Sequence, residues 1–346
     1  MKGTHLQITA IFILVVVALS GCIITPQSDS GNRKYPYPIS SFKLAIDNSD
    51  NIHIVYICAT FTGGGGGNHK PGLYYKEISP SGTVLSPDDI NNISIEGYGY
   101  NIVVVDNEPI LVVHDWDVDR DIVTLDLIPV KTLKDYPKNI INVINEKDTP
   151  HFRGLSEAIP VYSENLTIFW DGGGALYYLR LSSEFEIVEQ EEIATCEDLY
   201  DVKSGANGSF HILTSSGYMR LSRDFSIQYI NESLRGNFMA INSRDDVFIR
   251  QVGSFNQTGF ICLHENETEN SGWENWSDAA AVPGLPVIRD DDGSLVFLGP
   301  DGEVDSKGNL HYLWIEKDGI HYKKYGKSGE LLIEDKVIEQ IPENKR

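Results

Sequence analysis

Histidine recurs at one place in three copies of a sequence phrase: His53 in DNSDNIHIVY, His211 in GSFHIL and His311 in DSKGNLHYLW. Imidazoles at equivalent positions of a repeating fold could converge as metal ligands. Two further copies carry Leu111 and Thr167 there, and the flanking residues are apolar. The pattern therefore favours half-buried histidines hydrogen-bonded to a neighbouring repeat. The densest run of oxygen donors is HDWDVDRDIVTLD, residues 114–126. Asp115, Asp117 and Asp119 alternate, and Asp126 falls twelfth from Asp115, the span of a calcium-binding loop; Ca2+ is the one cofactor this suggests. Against it, Arg120 stands where such a loop needs glycine, and Asp126 where it needs the longer Glu. The competing reading is a solvent-facing hairpin tip. The run Gly63 to Gly67 has no Lys-Ser/Thr pair after it, so it reads as a hairpin tip and not as a phosphate loop, with His69 close behind.

The elements that would position these residues follow from the phrase itself. DNSDNIHIVY leads on to GLYYKEISPSGTVL, and DSKGNLHYLW to GIHYKKYGKSGELL, so that Gly72 matches Gly319, Tyr75 matches Tyr322 and Gly82 matches Gly329. Asp47 and Asp305 open a turn in which a carboxylate can accept from nearby backbone N–H groups. Asn51, or Gly308 with Asn309, supplies the tight bend into the strand. Four weaker copies have Leu111, Thr167, His211 and Phe248 at the position of His53, each with two apolar or alternating runs joined by a short turn, which is a hairpin signature. Hairpins recurring roughly every 50 residues must stack on neighbours, and that period suits four-stranded blades. The expectation is an all-β chain, a β-propeller of six blades. An extra strand-like run, LPVIRDDDGSLVFLG, accommodates seven. The first and last copies match each other best, so they should lie side by side and close the ring, sharing a blade between the two chain ends. The phrase resembles the Asp-box and related repeats of sialidase-like propellers. It departs from the Asp-box order, so the resemblance implies the repeat class and not that family's chemistry.

Ahead of the repeats, an apolar run over residues 8–19 follows Lys2 and ends in LSGC at Leu19 to Cys22. Length and flanks predict a signal peptide over residues 1–21. LSGC resembles the lipobox of prokaryotic lipoproteins, which implies that Cys22 carries lipid and holds the protein to the outer face of the cell membrane. Residues 22–41, rich in Ser, Pro and Gly, read as a tether, and 42–346 as the propeller. Asn-x-Ser/Thr occurs at Asn92, Asn165, Asn207, Asn231, Asn256, Asn266 and Asn275, against roughly 3 by chance. As glycan acceptors these would mark an exterior surface. Lipobox and sequons together resemble surface proteins of archaea. The net charge of −22, with no Lys/Arg cluster, excludes nucleic acid as a partner. Beyond Cys22 there are Cys58, Cys196 and Cys262, so at most one disulfide forms among them. Cys196–Cys262 is the candidate pair, and Cys58 reads as a small buried residue.

The function these features imply is a non-catalytic cell-surface module that binds a protein or glycan at a propeller face. The alternative is a carbohydrate-active enzyme of sialidase-like shape. Such enzymes need an arginine triad, and here no Arg stands at a shared repeat position, with only Arg33 before the first strand.

Overall fold

The computed structural model describes residues 39–58, 72–86, 91–93, 99–117, 122–131, 141–147, 158–172, 174–205, 207–242, 244–252, 258–263, 273–275, 285, 287–289, 295–297, 299, 301–316 and 318–340. The leader, Cys22, the glycine run, His69 and Asp119 lie outside them. All described strands fall within Pro36–Arg346. The first begins at Ile39, inside the segment read as tether.

Six four-stranded antiparallel sheets follow one another along the chain. The first blade is β1 (Ile39–Ile46), β2 (Ile52–Cys58), β3 (Gly72–Ile78) and β4 (Asn91–Ile93). The second is β5 (Gly99–Val105), β6 (Glu108–Asp117), β7 (Ile122–Pro129) and β8 (Ile141–Lys147). The third is β9 (Ala158–Tyr162), β10 (Leu166–Gly172), β11 (Ala175–Leu181) and β12 (Ile187–Thr195). The fourth is β13 (Leu199–Ser204), β14 (Phe210–Thr214), β15 (Gly217–Leu221) and β16 (Ile227–Asn231). The fifth is β17 (Phe238–Ile241), β18 (Val247–Val252), β19 (Thr258–Leu263) and β20 (Trp273–Asn275). A two-stranded ribbon, β21 (Val287–Arg289) with β22 (Leu295–Phe297), precedes the sixth blade of β23 (Gly302–Val304), β24 (Leu310–Glu316), β25 (Gly319–Tyr325) and β26 (Leu331–Gln340). This is the six-bladed propeller arrangement expected. The run LPVIRDDDGSLVFLG supplies the ribbon.

Burial explains why these sequences stack. β10, LTIFWDG, is buried at every position because it lies mid-sheet between two neighbouring blades. Successive side chains point to opposite faces: Leu166, Ile168 and Trp170 pack on Val112, Leu125 and Leu127 of the second blade, and Phe169 packs on Phe210 and Ile212 of the fourth. The outermost β12, IVEQEEIAT, is largely exposed. The same pattern continues around the ring. Val55 and Tyr75 of the first blade meet Leu111 and Val113 of the second. Phe248 of the fifth meets Ile288 and Val296 of the ribbon, and ribbon residues Val287 and Leu295 meet Leu310 of the sixth. Ile52, Ile54 and Tyr56 of the first blade then pack with Leu313, Ile320 and Tyr322 of the sixth. First and last copies thus lie side by side, as expected. The expected shared blade is not found: β23 to β26 come wholly from the C-terminal segment and β1 to β4 from the N-terminal one, so the ring closes without a strand of one end joining the sheet of the other.

The repeated phrase builds one turn several times. Asp47 Oδ1 accepts from the backbone N–H of Ser49 and Asn51, both at 2.8 Å, and Asn51 Nδ2 donates to Asp47 Oδ2 at 3.0 Å. Asp305 repeats this with Lys307 N at 3.0 Å, Asn309 N at 2.8 Å and Asn309 Nδ2 on Oδ2 at 2.9 Å. The fifth blade uses the pair reversed, Asn242 with Asp246. The left-handed residue that turns the chain is Asp50 (φ 62°) in the first blade, one place before the Asn51 to which the sequence assigned the bend, and in the sixth blade Gly308 (φ 79°), within the Gly308–Asn309 pair assigned to it.

Candidate functional site

The three repeated histidines are structural. His53 Nδ1 lies 2.7 Å from Tyr75 Oη, His211 Nδ1 2.7 Å from Tyr218 Oη and His311 Nδ1 2.9 Å from Tyr322 Oη. On the other ring nitrogen, His311 meets Asp305 Oδ2 at 3.0 Å and His211 meets Ser209 Oγ at 3.0 Å, while His53 faces Asp47 Oδ2 at 3.3 Å. Each partner belongs to the histidine's own blade, not to the neighbouring blade the sequence suggested. No two of the three share a donor set for a metal. Burial lowers the pKa of all three, that of His211 to about 4. For Asp305, burial alone would raise the pKa. Hydrogen bonds from Asn309, His311 and Lys324 outweigh it and hold the carboxyl well below the usual range.

The third blade, like the second and fifth, has no histidine at this position, and a cleft of about 360 Å³ opens there against the fourth blade. Its β9–β10 turn is only Ser163 to Asn165, and Thr167 stands where the first, fourth and sixth blades have histidine. The floor is aromatic. Phe225 holds a left-handed backbone (φ 62°) and lays its ring on Tyr178, centroids 3.8 Å apart, and on Phe210 at 5.1 Å. The Arg180 guanidinium sits 5.8 Å from the Phe225 centroid and pairs with Glu189 at 2.8 Å. An exposed ion pair from Arg223 to Glu164 spans the rim between the two blades, beside Ser222, Asp224 and Asn165. Sequence reasoning did not single out Phe225. The signal was the repeated string LSSEF and LSRDF, whose Phe185 (φ 63°) occupies the same place in the third blade.

The second cluster occupies the β24–β25 turn, at the opposite end of the blade from the Asp305 turn. His321, 5 % exposed, has Nδ1 2.7 Å from Asp335 Oδ1 and Nε2 2.9 Å from Asp318 Oδ1. Burial lowers its pKa, but the two carboxylates outweigh this and leave it raised. Trp314 stacks on the imidazole at 5.2 Å and donates Nε1–H to Glu316 Oε1 at 2.9 Å. Donor atoms of Glu316, Asp318 and His321 lie within 4.8 Å of one another, the one such group among the described residues.

The other expected residues are dispersed. Asp115 and Asp117 lie in β6, paired with Thr124 and Ile122, and Asp126 in β7, where its Oδ1 accepts from Asn142 at 2.6 Å. Residues 114–117 and 122–125 therefore pair as antiparallel neighbours, as the competing reading of the acidic run has it, while residues 118–121 lie outside the described set. Asn165 and Asn207 are exposed on β9–β10 and β13–β14 turns. Asn231 is half-buried and donates Nδ2–H to Tyr229 Oη at 2.9 Å. Asn92 and Asn275 fall in the outer strands β4 and β20, with side chains outside the described set, as is that of Cys58; Asn256 and Asn266 lie outside it altogether. The Cys196–Cys262 bridge is absent: both are free thiols. Cys196 is buried, which raises its pKa to about 11, and its Sγ donates to Asp198 O at 3.3 Å. Among the described residues no helix is long and apolar enough to cross a membrane.

No protein-family model matches the sequence, and neither does any curated protein. Among solved structures the chain is similar to the lectin of the fungus Aleuria aurantia, a six-bladed β-propeller, with a TM-score of 0.51 and 7 % identity over 89 % of this chain and 99 % of that one. It also resembles a protein of unknown function from Bacteroides caccae (TM-score 0.47, 11 % identity, 78 % and 90 % covered). A third is the β-propeller domain of the Trilobed protease from Pyrococcus furiosus (TM-score 0.44, 8 % identity, 86 % and 82 % covered). At these identities the likeness is one of fold.

Proposed function

We propose that this propeller is a non-catalytic binding module, exported and held at the outer face of the cell membrane by lipid on Cys22, whose ligand is a glycan seated in the cleft between the third and fourth blades. The cleft carries this reading. Between the third and fourth blades Thr167 replaces the histidine of the first, fourth and sixth blades, and the opening there has an aromatic floor and a rim of charged and hydroxyl groups. A sugar ring presents an apolar face suited to Phe225 and hydroxyls suited to Glu164, Arg223 and Asn165. The fungal lectin recognises fucose, which agrees with the reading without carrying it. The anchor rests on LSGC at the end of the apolar run. Cys22→Ser should release the protein from the detergent phase, and equal partitioning would remove the lipid.

A glycan array probed with the full-length protein tests the site. The expected result is a restricted set of bound glycans that Arg223→Ala and Phe225→Ala both lose. Binding that survives both substitutions would move the ligand elsewhere, and turnover of a bound glycan would make the protein an enzyme.

A further inference from the structure

We propose that Glu316, Asp318 and His321 form a binding site for a divalent first-row transition metal, with one imidazole nitrogen and two carboxylates as ligands. The site is separate from the cleft and does not depend on the glycan reading.

The tautomer supplies the first argument. With its proton on Nδ1, His321 donates to Asp335 Oδ1 at 2.7 Å and turns the Nε2 lone pair towards Asp318 and Glu316. A carboxylate on the far nitrogen is the arrangement that orients metal-bound histidines and raises their basicity. Spacing supplies the second. Tetrahedral ligands about 2.0 to 2.1 Å from a metal lie about 3.3 Å apart, so Nε2 and Asp318 Oδ1, now at 2.9 Å, need part only slightly to share one. The third donor is within 4.8 Å of both, so a side-chain adjustment of Glu316, which is exposed, completes the face.

The scaffold is stiff where it must be. The ring of His321 is buried against Trp314. Gly319 brings the hairpin so close to β26, which carries Asp335, that a Cβ there would lie 1.8 Å from the Glu339 carbonyl oxygen. The donor set also selects. An imidazole with two carboxylates suits zinc and its neighbours and disfavours calcium, which takes oxygen ligands alone. The net charge of −22 raises the local concentration of any cation. Three protein ligands leave coordination positions open to water.

The test uses tag-free, full-length protein in detergent, stripped with EDTA and dialysed against micromolar zinc. The parent should retain about one zinc per chain, and calcium at the same concentration should neither be retained nor displace it. Nickel should quench tryptophan fluorescence in the parent, and much of that quenching should vanish in Trp314→Phe. Asp318→Asn and His321→Gln should lose the zinc while melting in EDTA like the parent. Asp335→Asn should weaken binding roughly 10- to 100-fold. Should His321→Gln fail to fold, the exposed Glu316→Gln decides by the same assay. Zinc retained equally by the parent and Asp318→Asn, or no zinc retained by the parent, would overturn the site and leave His321 a histidine clamped between two carboxylates.

Discussion

Two interfaces of the ring use the same positions in opposite ways. Where the sixth blade meets the first, Tyr322 is tied to His311, and the facing turn carries Gly82 (φ 77°), whose missing side chain leaves room for Tyr322 and Ile333. Where the third blade meets the fourth, the blade that carries the equivalent Tyr178 has Thr167 in place of the histidine, and the facing turn carries Phe225, which reaches across to stack on Tyr178. Lys324 pairs with Asp305 at 3.1 Å and donates to Pro80 O across the seam at 3.2 Å, while its counterpart Arg180 borders the open cleft. The seam adds Ser306 N on Asp50 Oδ1 at 3.0 Å, Lys336 Nζ on Gly82 O at 2.5 Å and Lys76 with Glu339 at 3.0 Å. The third and fourth blades are joined by the short link from Thr195 to Leu199. The seam joins segments more than two hundred residues apart and must repay that loop closure from its contacts. An interface held by the chain can be left open, whereas one held only by non-covalent contacts between distant segments is filled and locked.

The harshest way to break this comparison is to remove one side of the seam. A chain truncated after Val304 loses β24 to β26 and leaves Ile52, Ile54 and Tyr56, each no more than 2 % exposed, without their cover. We expect aggregation or loss of the cooperative melt, followed by calorimetry, because two apolar blade faces are bared at once. A melt as sharp as that of the whole body, at a similar temperature, would mean that the blades stack as a linear array.

Much of this architecture was legible beforehand because the repeat is written in the residues that make it. Asp47 and Asp305 recur as turn acceptors, and His53 and His311 recur because a tyrosine two positions from their cross-strand partners needs a hydrogen bond. The pairing of first with last copy therefore identified the seam. The cleft was not legible, since it arises from residues that are missing from the pattern: a shorter turn at Ser163 to Asn165 and a threonine for a histidine. A left-handed phenylalanine is also a conformation that sequence statistics disfavour. Asp335 and His321 were missed because they belong to different strands, β26 and β25, and only their register makes them neighbours.

Acid should sharpen the comparison with a moderate effect. In the unfolded chain His211 titrates near its ordinary value of 6.5, and in the folded chain at about 4. Between those values the unfolded state takes up a proton that the folded state refuses. The contribution of His211 is therefore complete above pH 6.5 and is lost progressively as pH falls towards 4, by about 3 kcal/mol in all. His311 is also lowered by burial, but Asp305 beside it offsets part of the shift. Asp305 itself, with its pKa depressed, withdraws its contribution only below the usual carboxylate range. His211→Gln should therefore flatten the dependence of Tm on pH between 6.5 and 4 more than His311→Gln does. Equal flattening would mean that the seam's carboxylate gives its histidine no protection.

The smallest effect isolates what the two interfaces do with a surface cation. Lys307 at the seam and Arg223 at the cleft are equally exposed, at 67 % and 66 % of the side chain. Their partners differ, since Asp50 is 4 % exposed and Glu164 60 %. Exposed ion pairs contribute little, because water and salt solvate both members once they separate. Arg223→Met leaves Glu164 in water and should not move Tm, although on the glycan reading it removes binding. Lys307→Met leaves the buried Asp50 carboxylate with Ser306 N–H as its remaining partner across the seam. Its Tm should fall measurably, and high salt should lessen the difference from the parent by weakening the parent's pair. If both substitutions leave Tm unchanged, the seam is closed by its apolar core alone and Asp50 finds solvent when Lys307 is gone. If Arg223→Met lowers Tm as much as Lys307→Met, the cleft's rim is holding the blades together and is not kept open for a ligand.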